Sequence, residues 1–168
     1  VDDDFHARYS AIAREYSYQI CGKKRPLGRD LFWWVKQSYR LDLMQEASEF
    51  LVGEHHFEAF AKKMSEERHY LCNVHFAKWH LEGDIAVFGI RANRFVHSMV
   101  RILVGTLVNV GRGLLTPQEF KQRLDSRERV PQTYKAPANG LVLENVFFEG
   151  DLPGISRLHS FLDRQQNL

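Results

Sequence analysis

The chain has 168 residues, of which 44% are hydrophobic and 26% are charged, and this composition is typical of one ordinary globular domain. No apolar run reaches the roughly 18 residues needed to cross a bilayer, and no secretory leader is recognisable, so we expect a soluble, cytoplasmic protein. The two cysteines are far apart, which argues against a disulfide framework. The net charge of +2 permits nucleic-acid binding without requiring it.

The start of the chain predicts that it is part of a longer protein. It begins with Val1 instead of Met, and a run of three aspartates leads directly into patterned sequence. No repeat, low-complexity tract or Gly/Ser linker interrupts the rest of the chain, so residues 1–168 are interpreted as one domain.

Side-chain patterning in the first half predicts a strand, a helix and a hairpin. Residues 14–20 alternate between apolar or aromatic and polar side chains, as in a half-buried strand. Asp42 is the expected N-cap of a helix that ends at Gly53. Residues 71–81 and 85–91 each have the pattern of a strand and flank a Glu-Gly-Asp turn, which predicts a β-hairpin.

The second half carries the longest helical pattern. Apolar side chains recur every three or four positions over residues 93–110, with Asn93 as the expected N-cap. Thr116, Pro117 and Glu119 then combine an N-cap, a proline at the first helical position and a capping-box glutamate.

A final strand at residues 141–148 and a short amphipathic tail helix at 155–162 complete the pattern. Strands and helices alternate irregularly around hairpins. We therefore predict an α+β fold, with a mixed or antiparallel sheet and helices packed on it, in preference to a parallel doubly wound sheet.

Three features interrupt the apolar pattern. Arg101 lies on the border of the apolar face of the long helix, where a guanidinium needs a carboxylate or phosphate partner unless it is simply solvated. Tyr16 on the first strand is either a packing residue or a platform for a stacked base. Residues 135–141 are rich in turn-forming residues and, taken alone, form a loop.

Metal and phosphate-loop sites are disfavoured. A group of His69, Cys72, His75 and His80 matches no zinc spacing, and their side chains alternate between the two faces of a strand. The Gly-Arg-Gly triplet at residues 111–113 comes after a helix instead of before one, so it is interpreted as a helix C-cap turn.

Five segments together resemble one family, the TruA-type tRNA pseudouridine synthases. Residues 5–18 are similar to the family pattern F-x-A-R-[FY]-S-A and then Y-x-Y, and residues 51–60 to L-x-G-E-H-[DN]-F-x-x-F. Residues 95–105 are similar to F-[VL]-x-H-M-V-R-x-[IL]-V-G. Residues 110–113 and 136–141 complete the set in the family's order, so the resemblance runs from about residue 4 to 148 and leaves the tail at 150–168 outside it.

The resemblance implies that the chain is the C-terminal half of a pseudouridine synthase-like fold and assigns roles to the three features. Tyr16 matches the tyrosine that stacks on the target uracil, Arg101 the arginine that pairs with the catalytic carboxylate, and Leu141 the apolar residue lining the pocket. The substrate implied is tRNA, modified at uridines 38 to 40 of the anticodon stem-loop by a homodimer, without metal or organic cofactor. The candidate RNA contacts are Arg8, Arg14 and His97.

The resemblance also implies what is missing. The family's R-T-D-x-G-V-H-A segment, which carries the catalytic aspartate, has no match in this chain, and the aspartates at residues 2–4 lack its context. Ser98 stands where the family commonly has His, and Arg14-Glu15 replaces a basic doublet. We therefore expect no catalytic nucleophile in this chain and no turnover by it alone.

Two other functions stay open on the sequence alone. One is a non-catalytic RNA-binding module that kept the fold and lost the chemistry. The other is a structural dimerisation domain, which would bind no tRNA even at low salt. In each case the partial sheet is expected to expose a strand edge.

Overall fold

The computed structural model describes residues 10–24, 31–62, 69–131 and 134–149. Within these residues, six strands form one mixed sheet and three α-helices pack on it, which confirms the predicted α+β class. The strands are β1 (Ala11–Cys21), β2 (Trp33–Trp34), β3 (Gly53–His56), β4 (Leu71–Glu82), β5 (Ile85–Ala92) and β6 (Leu141–Phe148). The helices are α1 (Leu41–Glu49), α2 (Met99–Gly111) and α3 (Pro117–Ser126), with a 3-10 turn at Phe57–Phe60.

The sheet is organised around β1. On one side β1 pairs antiparallel with β5, which continues through β4 to β3 at the edge. On its other side β1 pairs antiparallel with β6 and, at its end, parallel with the short β2. The predicted first strand is therefore confirmed and lies near the centre of the sheet.

The hairpin of β4 and β5 is also confirmed. Glu82 pairs with Ile85, so only Gly83 and Asp84 form the connection. The backbone of Gly83 has φ +64°, which a glycine adopts without steric cost.

One hydrophobic core lies between the sheet and the helices. Fully buried side chains come from β5 (Phe88 and Ile90), from α2 (Leu103) and from α3 (Phe120). The helix α2 is buried along almost its whole length. This burial holds the first turn of α2 in place relative to the core.

The structure corrects both predicted N-caps in the first two helices. The cap of α1 is Arg40, without a side-chain cap, and Asp42 lies inside the first turn. The long helix does not begin after Asn93: α2 begins at Met99, and its N-cap is Ser98 with a left-handed backbone at φ +64°. The carboxamide of Asn93 accepts a hydrogen bond from the Asn73 N–H (2.9 Å) and so fastens the end of β5 to β4.

The third helix agrees with its sequence pattern. The Thr116 hydroxyl accepts from the Glu119 N–H at 3.1 Å, and the Glu119 carboxylate accepts from the Thr116 N–H at 2.7 Å. This is the predicted capping box, with Pro117 at the first helical position. The Gly-Arg-Gly triplet at the end of α2 is a C-cap turn, as predicted: Gly111 is the last helical residue, Arg112 is the C-cap, and Gly113 has φ +74°.

The tail helix predicted at residues 155–162 lies outside the described residues. Within the described part of the chain, no helix has the length and apolar character needed to cross a membrane.

Candidate functional site

Residues that are far apart in the chain line one small pocket at the first turn of α2. Tyr16 comes from β1, Arg101 from α2 and Leu141 from the start of β6, while Phe95 comes from the segment between β5 and α2. The pocket has a volume of about 100 Å³. The structure therefore brings together the three residues that the resemblance selected.

Contacts on both faces of β1 hold Tyr16 in place. On the pocket side it makes an edge-to-face contact with Phe95, with ring centroids 5.1 Å apart and planes at 89°. Its two neighbours, Glu15 and Ser17, point to the opposite face because side chains alternate along a strand. Ser17 donates to the Glu144 carboxylate on β6 (2.5 Å).

Glu15 is fully buried behind Tyr16 and forms an ion pair with Arg91 of β5. Its Oε2 accepts from the Arg91 Nε at 2.7 Å and lies 2.5 Å from Nη2. The Arg91 guanidinium lies between two aromatic rings, 5.2 Å from the centroid of Phe76 and 4.3 Å from that of Phe147. Glu15 and Ser17 thus attach the backbone on either side of Tyr16 to β5 and β6, respectively.

Arg101 is half-buried and lies in the first turn of α2, because the helix begins at Met99 and not after Asn93. Its Nε donates to the Ala136 carbonyl (2.7 Å), and the Ala136 N–H donates back to the Arg101 carbonyl (3.0 Å). This double contact ties the guanidinium of Arg101, which lines the pocket, to the backbone at Ala136. The N-terminus of α2 adds its own partial positive charge there, so the pocket favours an anion.

The segment before β6 leads to Leu141 at the pocket, forms a wall next to Arg101 through Ala136, and is held at three points. Tyr18 donates its hydroxyl proton to the Pro137 carbonyl (2.7 Å), and the Gln19 N–H donates to the Gly140 carbonyl (2.9 Å). Asn139 donates to the Phe32 carbonyl (2.7 Å). The segment that the sequence alone showed as a loop is therefore a wall fastened to β1 and to the Phe32 carbonyl.

Burial raises the pKa of Tyr18 well above its usual value, against a smaller opposing effect of the nearby Arg101 charge. The Tyr18 hydroxyl therefore stays protonated at neutral pH and remains a hydrogen-bond donor to the wall. Tyr18 is thus a support for the pocket wall and offers no base for a reaction.

The candidate RNA contacts have different placements. Arg14 is half-buried next to the pocket, and His97 is exposed on the segment that leads to α2. The His97 carbonyl accepts from the Lys62 N–H (3.0 Å). Arg8 lies outside the described residues.

The described residues hold no group of three or more histidine, cysteine, aspartate or glutamate side chains that could bind a metal ion. His75, one of the residues considered for such a group, is an extra residue at an irregularity in the pairing of β4 with β5. Burial, and to a lesser degree the charge of Arg91, lowers its pKa, which favours the neutral imidazole.

Sequence reasoning missed three contributors to the pocket. Phe95 was visible as the first residue of the helix-leading motif, but nothing local showed that its ring packs on Tyr16. The Glu15–Arg91 pair and the Ala136 carbonyl carry no local signal either, because their partners are 76 and 35 residues away in the chain.

An aromatic ring, a guanidinium held in place by the backbone and an apolar wall around one pocket are the features of a protein that binds a nucleobase next to an anion. A family model described as tRNA pseudouridine synthase matches residues 47–149. The chain belongs to this family.

Relatives in several bacteria agree with this assignment. The chain is 38% identical over 145 residues to tRNA pseudouridine synthase A of Chlorobium limicola, covering 86% of this chain. It is 37% identical to the protein of the same name in Nitrosococcus oceani, covering 94% of this chain, and 34% identical to that of Bacillus subtilis, covering 88%. The chain spans about 60% of the length of these curated relatives, with 60%, 62% and 61% of each covered.

Proposed function

We propose that the whole protein is an isomerase that converts uridine to pseudouridine in the anticodon stem-loop of tRNA, and that this chain supplies most of its uridine pocket. The observation that supports the proposal is the convergence of Tyr16, Arg101 and Leu141 on one pocket. They lie on three different elements, and the family resemblance selects the same three residues from the sequence alone.

The reaction that the pocket must serve is a rearrangement without net redox change. The bond between C1′ of the ribose and N1 of uracil breaks, the detached base turns over, and a new bond joins C1′ to C5. The proton on C5 leaves to a base, and N1 gains a proton. The uridine has to leave its stack first, so the pocket must replace the lost stacking.

Each pocket residue has a role in this chemistry. The Tyr16 ring stacks on the extruded uracil, and its contact with Phe95 keeps the ring plane constant while the base turns over. Leu141 limits the space available to the base. No metal or organic cofactor has a role in this scheme.

Arg101 holds the carboxylate that acts as nucleophile or base. A guanidinium next to a carboxylate keeps it ionised in a site with little water. None of the described residues that line the pocket is acidic, so none of them supplies this carboxylate. We infer that the 168-residue chain alone does not turn over.

The proposal includes the setting of the reaction. The substrate and partner is tRNA, the enzyme works as a homodimer, and it acts in the cytoplasm. The candidate RNA contacts are Arg14, which is half-buried, and His97, which is exposed; both lie close to pocket residues in the chain.

The test uses the full-length enzyme and tRNA labelled with tritium at C5 of uridine. Release of tritium is expected from the wild type. We expect the Arg101→Lys variant to lose about 10- to 100-fold in kcat, because lysine keeps the charge but loses the charge-assisted bond to Ala136, worth about 1.5–3 kcal/mol. The control is Arg112→Lys at the other end of α2, which is exposed and should be silent.

The second candidate is a non-catalytic RNA-binding module, favoured by the lack of an acidic residue among the described residues that line the pocket. It predicts tRNA binding by the full-length protein without tritium release. A wild-type protein that binds tRNA but releases no tritium over many hours would replace the enzyme assignment with this one.

A further inference from the structure

Tyr18 lies two residues after Tyr16 on the same face of β1, but it is not one of the residues that line the uridine pocket. Its side chain is fully buried. In the pairing of β1 with β6, Tyr18 stands opposite Leu141, the apolar residue of the pocket. The strand that carries the stacking ring therefore also carries a buried phenol next to the segment that leads to Leu141.

Two contacts hold this segment, residues 136–140, against Tyr18. The hydroxyl donates to the Pro137 carbonyl at 2.7 Å. Gly140 lies so close to the ring that a Cβ added there would be 2.7 Å from Cε1 of Tyr18 and 2.8 Å from its Cζ. A phenylalanine would supply the same ring, so the tyrosine adds only the bond to Pro137. Without that bond its buried hydroxyl would be destabilising.

The successive carbonyls of Ala136 and Pro137 join β1 to α2. The Ala136 carbonyl accepts from Nε of Arg101 at 2.7 Å, and the next carbonyl along the chain accepts from Tyr18. Peptide planes are rigid and the proline ring fixes φ, so only ψ of Pro137 can vary between the two carbonyls. A displacement of the Pro137 carbonyl is therefore transmitted to the group that holds Arg101.

We propose that Tyr18 is a positioning residue for the isomerisation, whose hydroxyl holds the backbone of Ala136 and Pro137 where the Ala136 carbonyl can direct Arg101. Tyr18 itself touches neither the base nor the reacting carboxylate. This inference rests on the proposed function and deepens it, because it names the group that sets the Arg101 guanidinium relative to the Tyr16 ring.

The experiment uses the full-length enzyme and the tritium-release assay, at a temperature well below the unfolding midpoint of each variant. Tyr18→Phe should lower kcat about three- to tenfold, the loss expected when one neutral hydrogen bond no longer supports the transition state. The KM for tRNA should stay within about twofold, because Tyr18 makes no contact with the substrate. A hydroxyl that only stabilises the fold would lower the unfolding midpoint and leave kcat of the folded enzyme unchanged.

The matched control is Ser48→Ala in α1, a helix that contributes no described residue to the pocket. The buried Ser48 hydroxyl accepts from Nε1 of Trp79 (3.1 Å) and donates to the Met44 carbonyl (2.8 Å), so this variant also loses buried hydrogen bonds. We expect a lower unfolding midpoint, with kcat and KM within about twofold of the wild type. An equal fall of kcat in both variants would assign the effect to general stability and overturn the positioning role.

A double-mutant cycle tests the route through Arg101. Tyr18→Phe is added to Arg101→Lys, a variant that has already lost the bond to the Ala136 carbonyl. If Tyr18 acts through that bond, the added substitution should change kcat by less than about twofold. Losses in kcat that multiply would show that Tyr18 acts independently of Arg101, and the proposal would be wrong.

The outcomes for Tyr18 and for the proposed function are distinct. If the wild type isomerises tRNA and Tyr18→Phe keeps its kcat, the positioning role is wrong and the enzyme assignment stands. A rise in KM at unchanged kcat would also overturn the positioning role, because it would place the hydroxyl in tRNA binding. If the wild type releases no tritium, the enzyme assignment fails, and the role of Tyr18 in the reaction fails with it.

Discussion

At the scale of single residues, the pocket depends on how closely its wall approaches α2. Gly105 lies one helical turn after Arg101, and the segment at residues 134–136 passes directly over it. A Cβ at Gly105 would lie 1.5 Å from the Tyr134 carbonyl oxygen and 3.0 Å from the Ala136 nitrogen. The missing side chain thus permits the exchange of hydrogen bonds between Arg101 and Ala136.

We therefore expect Gly105→Ala to destabilise the protein by about 1–3 kcal/mol, because backbone atoms on both sides must move apart. Urea denaturation monitored by circular dichroism measures the change. The control is Gly22→Ala, whose new Cβ would meet only the edge of the Tyr39 ring at 3.7 Å. Equal midpoints for the two variants would show that the wall is free to shift.

At the scale of elements, a buried ion pair joins β1 to β5 next to Tyr16. Glu15 is completely buried, and its Oε1 has no hydrogen-bond partner, so the pair with Arg91 compensates its charge only in part. Breaking such a pair leaves one uncompensated charge, which costs about 3–5 kcal/mol.

A double-mutant cycle tests this link. Glu15→Gln alone should cost about 3–5 kcal/mol, and adding Arg91→Met should recover about half or more of the loss, because both charges are then gone. The exposed pair of Lys121 and Asp125 on α3, at 2.6 Å, is the control, with an expected coupling below about 0.5 kcal/mol. Additive losses at Glu15 and Arg91 would contradict a coupled pair.

The capping box of α3 predicts a pH dependence of stability. The pKa of Glu119 lies below its usual value of 4.5, mainly because its carboxylate accepts the Thr116 N–H and also because it accepts the Thr116 hydroxyl. A carboxyl group with a lowered folded-state pKa stabilises the fold above its unfolded-state pKa and loses this effect as the pH falls through the folded-state pKa.

The stability difference between wild type and Glu119→Gln should therefore be constant at neutral pH and shrink as the pH falls below about 4.5. Glutamine keeps the acceptor oxygen but does not titrate, so it serves as the reference at the same position. Chemical denaturation at a series of pH values measures the difference. A gap that stays constant down to about pH 3 would exclude the proposed contribution of the carboxylate.

The helix boundaries also show which structural features a local sequence pattern can predict. The capping box of α3 was predicted in full because all its partners lie within four residues. The start of α2 was predicted five residues too early, because Asn93 is a good cap residue whose carboxamide is taken by Asn73 across the sheet. The apolar pattern extends back to Val96 because this side chain is buried in the core, although it precedes the helix.

The site shows the same division between local and distant contacts. Tyr16, Arg101 and Leu141 were selected by resemblance, and the structure places them in one pocket. Their supports depend on contacts between distant parts of the chain, such as Arg101 with Ala136, and no pattern within a few residues encodes such contacts.

At the scale of the whole molecule, the outer strand β6 leaves an apolar surface exposed at one side of the sheet. Within the described part of the chain, β6 pairs with β1 alone, so its other edge has no strand neighbour. Leu143 in this strand is 51% exposed and lies next to Val142, which is 39% exposed. An apolar strand with an open edge is a site for pairing with another chain.

We expect the 168-residue chain to aggregate through β6, and we expect Leu143→Lys to slow aggregation severalfold, because a charge on an edge strand opposes further pairing. Light scattering at equal protein concentration and moderate salt measures the rate. The matched control is Leu114→Lys: Leu114 is 60% exposed but lies between α2 and α3 and belongs to no strand. Both substitutions add one positive charge and remove one exposed leucine. A larger effect at Leu143 would assign the aggregation to the strand edge. An equal effect would assign it to general hydrophobicity or net charge and would contradict the role of β6.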